Sequence, residues 1–130
     1  MRIPEAWFRL FWAVLTIAIS AFILYESTRS LGDPTLPDLT TDEGYVGHLA
    51  VYAVLAFCAQ TAILTRRWPT LVAVVAAAGV FGVFIEAYQS TIDGREASAY
   101  DALANLAGAT VGALAASSAT PRWQHLLEGP

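Results

Sequence analysis

Charged and amide side chains gather in one stretch of this sequence, at the point where two apolar segments meet. Glu86 and Gln89 end one uncharged segment, Arg95 lies in the link that follows, and Asp101 and Asn105 open the next segment. An arginine can bind phosphate oxygens through two parallel N–H donors, and amide groups supply neutral donors beside it. These residue types therefore predict a binding site for an anionic group such as a phosphate headgroup.

The same residues also allow proton transfer. A carboxyl group removed from water can act as a general acid or base, so Glu86 is a candidate catalytic residue with Asp101 or His48 as its partner. His48 and Tyr52 are four residues apart and share one face of a helix. The sequence shows no nucleophile beside an activating base, no phosphate-binding loop and no metal-binding motif. We therefore expect no metal and no cofactor, and catalysis is one hypothesis among several.

Each of these polar residues also has a structural explanation, which the sequence does not exclude. Ser98 and Asp101 fit the Ser-x-x-Asp capping-box pattern, in which both side chains satisfy backbone donors at a helix start. Arg95 could neutralise a nearby carboxylate as a structural ion pair. Asn105 could form a hydrogen bond between helices. His48 and the tyrosine that follows it by four residues could be ordinary buried side chains.

The composition is that of a membrane protein. Of 130 residues, 56% are hydrophobic and only 14% are charged, whereas roughly a quarter of the residues in a soluble domain carry charge. The single cysteine, Cys58, excludes a disulfide within the chain. The formal charge of −4 predicts no nucleic-acid partner.

Four apolar segments approach the roughly 20 residues that an α-helix needs to cross a bilayer core of about 30 Å. The sequence therefore predicts an all-α membrane protein, a four-transmembrane-helix bundle formed by one domain that covers residues 1–130. The helices are expected at about 7–25, 46–65, 69–90 and 99–119. The partner that this fold implies is the lipid bilayer, and the expected location is the plasma membrane, crossed several times.

The arginines predict the orientation of the bundle. An even number of spans places both termini on one side, and the side richer in arginine is the cytoplasmic one. The acidic loop at about 26–44 is then extracytoplasmic, as are the polar ends of helices two, three and four. Both termini are therefore predicted to be cytoplasmic, because the side that holds them carries five of the seven arginines. These are Arg2, Arg9, Arg66, Arg67 and Arg122, whereas the other side carries Arg29 and Arg95.

Helix four is rich in Ala, Gly, Ser and Thr. Small residues let helix backbones approach closely in a membrane, where no hydrophobic force drives helices together. Gly108 and Gly112 form a Gly-x-x-x-Gly motif suited to that role. We expect helix four to be the most enclosed helix, packed against helices two and three, with self-dimerisation through the same motif as the alternative.

The order of these residues resembles the signature of the VanZ-like family of small membrane proteins, over about residues 40–116. Two positions commonly held by an Asp-Lys pair before the histidine are Gly44 and Tyr45 here, and a proline usual before the arginine is Asp93. The residues that carry the resemblance are Gly47, His48, Tyr52, Glu86, Gln89, Arg95, Ser98, Asp101, Asn105, Gly108 and Gly112.

The resemblance implies an envelope-associated integral membrane protein, and it implies no agreed biochemical activity. The family's namesake is linked to low-level teicoplanin resistance, which we do not transfer to this chain. The leading hypothesis is a site that binds or processes an anionic envelope lipid, such as a polyprenyl-phosphate intermediate. A non-catalytic scaffold, with a homo-oligomer or another membrane protein as partner, is the alternative. An intramembrane enzyme based on Glu86 is the third hypothesis, and a proton-coupled carrier is the weakest.

Overall fold

The computed structural model describes residues 3–28, 44–91 and 98–128, and all regular structure in these ranges is α-helical. Each of the four helices is long and apolar enough to cross a membrane. This confirms the predicted fold class of a four-helix membrane bundle. The first loop and the link that contains Arg95 lie largely or wholly outside the described residues. The helices are α1 (Glu5–Thr28), α2 (Gly44–Ile63), α3 (Trp68–Gln89) and α4 (Ala99–Glu128).

Helices α2 and α4 run parallel and in close contact along the glycines of α4. A methyl group on Gly108 would overlap the backbone carbonyl of Leu49, and one on Gly112 would overlap that of Ala53. Both contacts advance by four residues in the same direction, so the two helix axes point the same way. The Gly-x-x-x-Gly motif is therefore used within the chain, where it lets two backbones meet without intervening side chains.

Helix α4 is the most enclosed of the four helices, and α1 is the most peripheral. Trp12 of α1 packs on Phe57 of α2 with ring centroids 5.7 Å apart. The Arg9 Nε donates to the carbonyl oxygen of Ala62 at 3.1 Å, which ties the start of α1 to the end of α2. Because α1 buries little of its surface in the bundle, most of its apolar side chains face outward, where lipid would cover them.

Helix α4 continues beyond its predicted end at residue 119. Pro121 lies inside the helix, which ends only at Glu128. The predicted end followed the extent of the uncharged apolar segment, and the helix continues although a proline removes a donor and crowds the preceding turn. The last turns nevertheless have a packing partner, because the Trp123 ring lies 5.7 Å from the Phe8 ring of α1. This contact favours continuing the helix over ending it.

Candidate functional site

Polar side chains from three helices meet where α2 and α4 begin and α3 ends, which we call the polar end of the bundle. Close packing of α2 on α4 places two of these helices side by side, and α3 lies against α4. We call the group of side chains the polar cluster. Its members are His48 and Tyr52 from α2, Glu86 from α3, and Ser98, Asp101 and Asn105 from the start of α4.

A hydrogen bond between His48 and Asn105 links α2 to α4. The imidazole Nδ1 lies 3.0 Å from the amide oxygen Oδ1. With that oxygen toward the ring, Nδ1 is the donor, because an amide oxygen only accepts, and in the neutral ring Nε2 then carries the lone pair. Gly82 of α3 makes room for Asn105 and Tyr52, since a methyl group there would lie 2.9 Å from the Asn105 amide nitrogen and 3.3 Å from the Tyr52 ring.

Glu86 links α3 to the first turn of α4. The backbone N–H of Ser98 donates to Glu86 Oε2 at 3.0 Å, and the Ser98 hydroxyl accepts from the backbone N–H of Asp101 at 3.2 Å. Ser98 therefore caps α4 as its pattern predicts. In a full capping box the Asp101 carboxylate would accept the Ser98 N–H. Here Glu86 accepts it, and the Asp101 carboxylate is free to face the cluster.

The imidazole and the two carboxylates come close together. One ligand atom from each of His48, Glu86 and Asp101 lies within 4.8 Å of the other two. Glu86 is only 6% exposed, while the other two side chains are partly exposed. Two acidic groups and one imidazole in such a small volume can share a proton or bind a cation.

Three buried polar atoms in the cluster have no hydrogen-bond partner among the residues that the structure describes: Glu86 Oε1, the Tyr52 hydroxyl and the Asn105 amide nitrogen. Tyr52 and Asn105 are each 1% exposed. A buried polar group left unpaired costs about 1–3 kcal/mol, so such groups call for a bound water, ion or ligand. The cluster thus offers two donors and one acceptor to an additional molecule.

The structure places most but not all of the predicted site residues in this cluster. Gln89 lies one turn beyond Glu86 and is half-buried. Arg95, the predicted phosphate-binding residue, lies outside the described residues. Gly82 was missed by the sequence analysis, although its position four residues before Glu86 puts it on the same helix face.

An apolar groove of about 520 Å³ lies between α1 and α2. It is open along the side of the bundle. Its end nearer to the polar end of the bundle reaches Gly47, the residue before His48. Its walls include Ala18, Ile19 and Phe22 from α1 and Gly47, Ala50 and Val51 from α2. A hydrocarbon chain is the natural occupant of such a surface in a membrane.

Comparison with known families decides what kind of protein this is. A family model described as VanZ/LLP1 matches residues 3–120, which is nearly the whole chain. The chain belongs to the VanZ/LLP1 family. No curated protein and no solved structure matches it. The resemblance inferred from the sequence is thus confirmed, and the match extends it to α1.

Family membership and four membrane-spanning helices together make this VanZ/LLP1 protein a multi-pass membrane protein. The two parts of the motif that carried the resemblance are far apart in sequence but adjacent in space. His48 belongs to the first part and Asn105 to the second, and they share a hydrogen bond. Polar residues from both parts of the motif of this VanZ/LLP1 chain therefore meet at the polar end.

Proposed function

We propose that this VanZ/LLP1 protein binds or processes an anionic envelope lipid, or a lipid-linked precursor, at the polar cluster. The observation that carries the proposal is the pair of buried, unpartnered donors, the Tyr52 hydroxyl and the Asn105 amide nitrogen. An anionic headgroup would accept from both. Arg95, three residues before the cap Ser98, would supply the balancing positive charge.

The position of the cluster supports a lipid ligand over a soluble one. A polar site at the end of an apolar bundle would lie at headgroup depth. The groove between α1 and α2 extends along α2 as far as Gly47, the residue before His48. A phosphate headgroup in the cluster and its prenyl or acyl chain in the groove would use both features. By the arginine distribution, the polar end faces the extracytoplasmic side of the plasma membrane.

Native mass spectrometry of the purified protein would test this proposal. Polyprenyl phosphate should remain bound at concentrations where phosphatidylethanolamine and phosphatidylglycerol are lost, and Arg95→Gln should weaken that preference at least tenfold. Arg122→Gln is the matched control, because Arg122 is exposed at the other end of α4. Equal retention of all three lipids by the parent protein would rule out a specific anionic-lipid site.

Processing needs a separate measurement. If the protein converts the lipid, turnover in reconstituted vesicles should be lost in Glu86→Gln, because Glu86 is the most buried carboxyl group of the cluster. Turnover that survives this substitution would remove Glu86 from the chemistry. Binding without turnover would leave a lipid-binding protein.

A scaffold function is favoured by one specific observation. Hydrogen bonds from Glu86 to the start of α4 and from His48 to Asn105 fix the positions of three helices. A cluster with only this role would need no ligand. The scaffold function predicts that another membrane protein, or a second copy of this chain, co-purifies stoichiometrically. It also predicts that the protein binds no lipid selectively.

A further inference from the structure

We propose that His48, Glu86 and Asp101 form a binding site for a divalent transition-metal ion, Zn²⁺ or Mn²⁺. Each comes from a different helix, and their ligand atoms lie within 4.8 Å of one another. Ligand atoms on one such ion are roughly 3–4 Å apart, since each lies about 2 Å from it. An inward movement of about 1 Å by these side chains would complete the site.

The hydrogen bond of His48 prepares its ring for a metal. Histidine ligands almost always donate their other ring N–H to an oxygen, which fixes the tautomer and the ring orientation. Nδ1 of His48 has such a partner in Asn105 Oδ1 at 3.0 Å. In the neutral ring the remaining nitrogen, Nε2, keeps the lone pair that a metal ion requires, and we assign it as the ligand atom.

The state of Glu86 is a second, independent indication of a ligand. One carboxylate oxygen, Oε2, accepts the Ser98 N–H at 3.0 Å, which orients the group. The other oxygen, Oε1, is buried and has no hydrogen-bond partner within residues 3–28, 44–91 and 98–128. Hydrogen-bonded metal-binding carboxylates commonly have this arrangement, with one oxygen held by the protein and one directed to the ion.

Charge balance also favours a cation. Glu86 and Asp101 bring two acidic groups to the polar end, and Glu86 is buried there. Buried charges are normally paired or bound to metal. Within residues 3–28, 44–91 and 98–128, every arginine lies toward the other end of the bundle: Arg9, Arg66, Arg67 and Arg122. A divalent ion would balance both carboxylates at once.

The donor set indicates which ions fit. Imidazole suits zinc, and carboxylates suit manganese and magnesium, so one imidazole with two carboxylates fits a borderline ion better than Mg²⁺ or Ca²⁺. Three protein ligands leave at least one coordination position for water or for an oxygen of another molecule. The proposal shares residues with the proposed lipid site but does not depend on lipid binding.

Titration calorimetry in lipid-free detergent micelles, with ZnCl₂, MnCl₂ or MgCl₂ as the titrant, would test the site. The full chain should bind one Zn²⁺ or Mn²⁺ ion with micromolar or tighter affinity, and Mg²⁺ at least tenfold more weakly. His48→Ala, Glu86→Gln and Asp101→Asn should each weaken the binding at least tenfold. Asn105→Leu should also weaken it, because removing a partner of a metal ligand typically costs about 10–100-fold in affinity.

His125→Ala and Glu128→Gln are matched controls, because both side chains are exposed near the opposite end of α4. They should bind the ion as the parent does. Absence of saturable 1:1 binding by the parent, or equal loss in His125→Ala, would overturn the proposal.

Cobalt gives a readout on the parent chain that does not depend on the folding of any variant. Co²⁺ should produce visible absorption bands that ZnCl₂ displaces at one equivalent, and Zn²⁺ should raise the melting temperature of the parent. A spectrum like that of aqueous cobalt, with an unchanged melting temperature, would also exclude the site. Since no lipid is present, this failure would leave the lipid proposal to its own test.

Discussion

The two ends of the bundle both bury polar side chains but satisfy them differently. At the opposite end, Thr61 and Thr120 are fully buried, and each hydroxyl donates to the carbonyl four residues earlier in its own helix, at 2.7 and 3.0 Å. The Gln60 amide donates to the carbonyl of Thr65 at 2.6 Å, just after its own helix ends. At the polar end, the hydrogen bonds of His48 and Glu86 join different helices.

The difference shows which end depends on the assembled bundle. A hydroxyl bonded to its own helix stays satisfied wherever that helix goes, so the Thr61 and Thr120 hydroxyls do not depend on the spacing between helices. The bonds of the polar end exist only while three backbones keep their spacing. The polar end also carries carboxylates, whereas Gln60, Thr61 and Thr120 are neutral. Local, neutral bonding is typical of structure, and an ionisable cluster between helices is typical of a functional site.

Exchanging the charge between the two ends should produce the largest effect. Gln60→Glu places a carboxylate at a fully buried position whose amide oxygen already lacks a partner. An uncompensated buried charge costs about 3–5 kcal/mol, and we expect a loss of that size in the free energy of unfolding, measured by SDS titration in mixed micelles.

The reciprocal substitution is the control. Glu86→Gln keeps the shape of the side chain and an oxygen for the Ser98 N–H, and it removes a buried charge. We expect unchanged or increased stability, because residues retained for function often cost stability. A loss of several kcal/mol in Glu86→Gln, with none in Gln60→Glu, would reverse the assignment of the two ends.

The second-largest loss of stability is expected when the contact between α2 and α4 is widened, which should disturb the polar end. In Gly108→Ala the added methyl group would overlap the Leu49 carbonyl, whose carbon lies 2.9 Å from it. This contact lies one turn from the bond between His48 and Asn105. Overpacking typically costs about 1–3 kcal/mol, and we expect the upper end of that range because backbone, not a flexible side chain, must move.

Gly47→Ala is the same substitution on α2, where a methyl group meets open space. It should be neutral or should stabilise the protein by about 0.5–1 kcal/mol, since alanine is the better helix former. Both variants would be compared by SDS titration. Equal effects would mean that the close approach of the two backbones contributes little.

The sequence predicts the parts of this molecule that depend on composition and on spacing within a single helix. The four spans follow from their apolar length, and the common face of His48 and Tyr52 follows from helix periodicity. Convergence of the polar residues at one end follows from the alternating direction of the helices. None of these inferences needs a distance between helices.

The remaining features depend on contacts between helices, which sequence spacing does not contain. Gly82 is important because Asn105 and Tyr52 approach it from two other helices. The role of the Asp101 carboxylate changed because Glu86, distant in sequence, accepts the Ser98 N–H. The continuation of α4 past Pro121 accompanies a ring contact with α1 that no local rule reveals.

A smaller loss of stability should distinguish a hydrogen bond between helices from one within a single helix. Asn105→Leu removes the partner of His48 and should lower the free energy of unfolding by about 1–2 kcal/mol, near the upper limit for such bonds in membrane proteins. Thr120→Val is the control, since its lost bond lies within α4. It should cost less than about 0.5 kcal/mol, and equal costs would remove this distinction between the ends.

The exposed ion pair at the opposite end should have the smallest effect. Arg9 pairs with Glu5 at 3.2 Å, and the two side chains are 48% and 58% exposed. Such pairs contribute about 0.2–1 kcal/mol because water and salt screen them. Arg9→Gln also removes the bond to the Ala62 carbonyl, yet that oxygen lies near a helix end that water can reach. We therefore expect a loss below about 1 kcal/mol by SDS titration, and an equal loss in the Glu5→Gln control would assign it to the ion pair. A larger loss confined to Arg9→Gln would show that the hydrogen bond from Arg9 to the Ala62 carbonyl stabilises the opposite end. That end would then also depend on a bond between helices, as the polar end does.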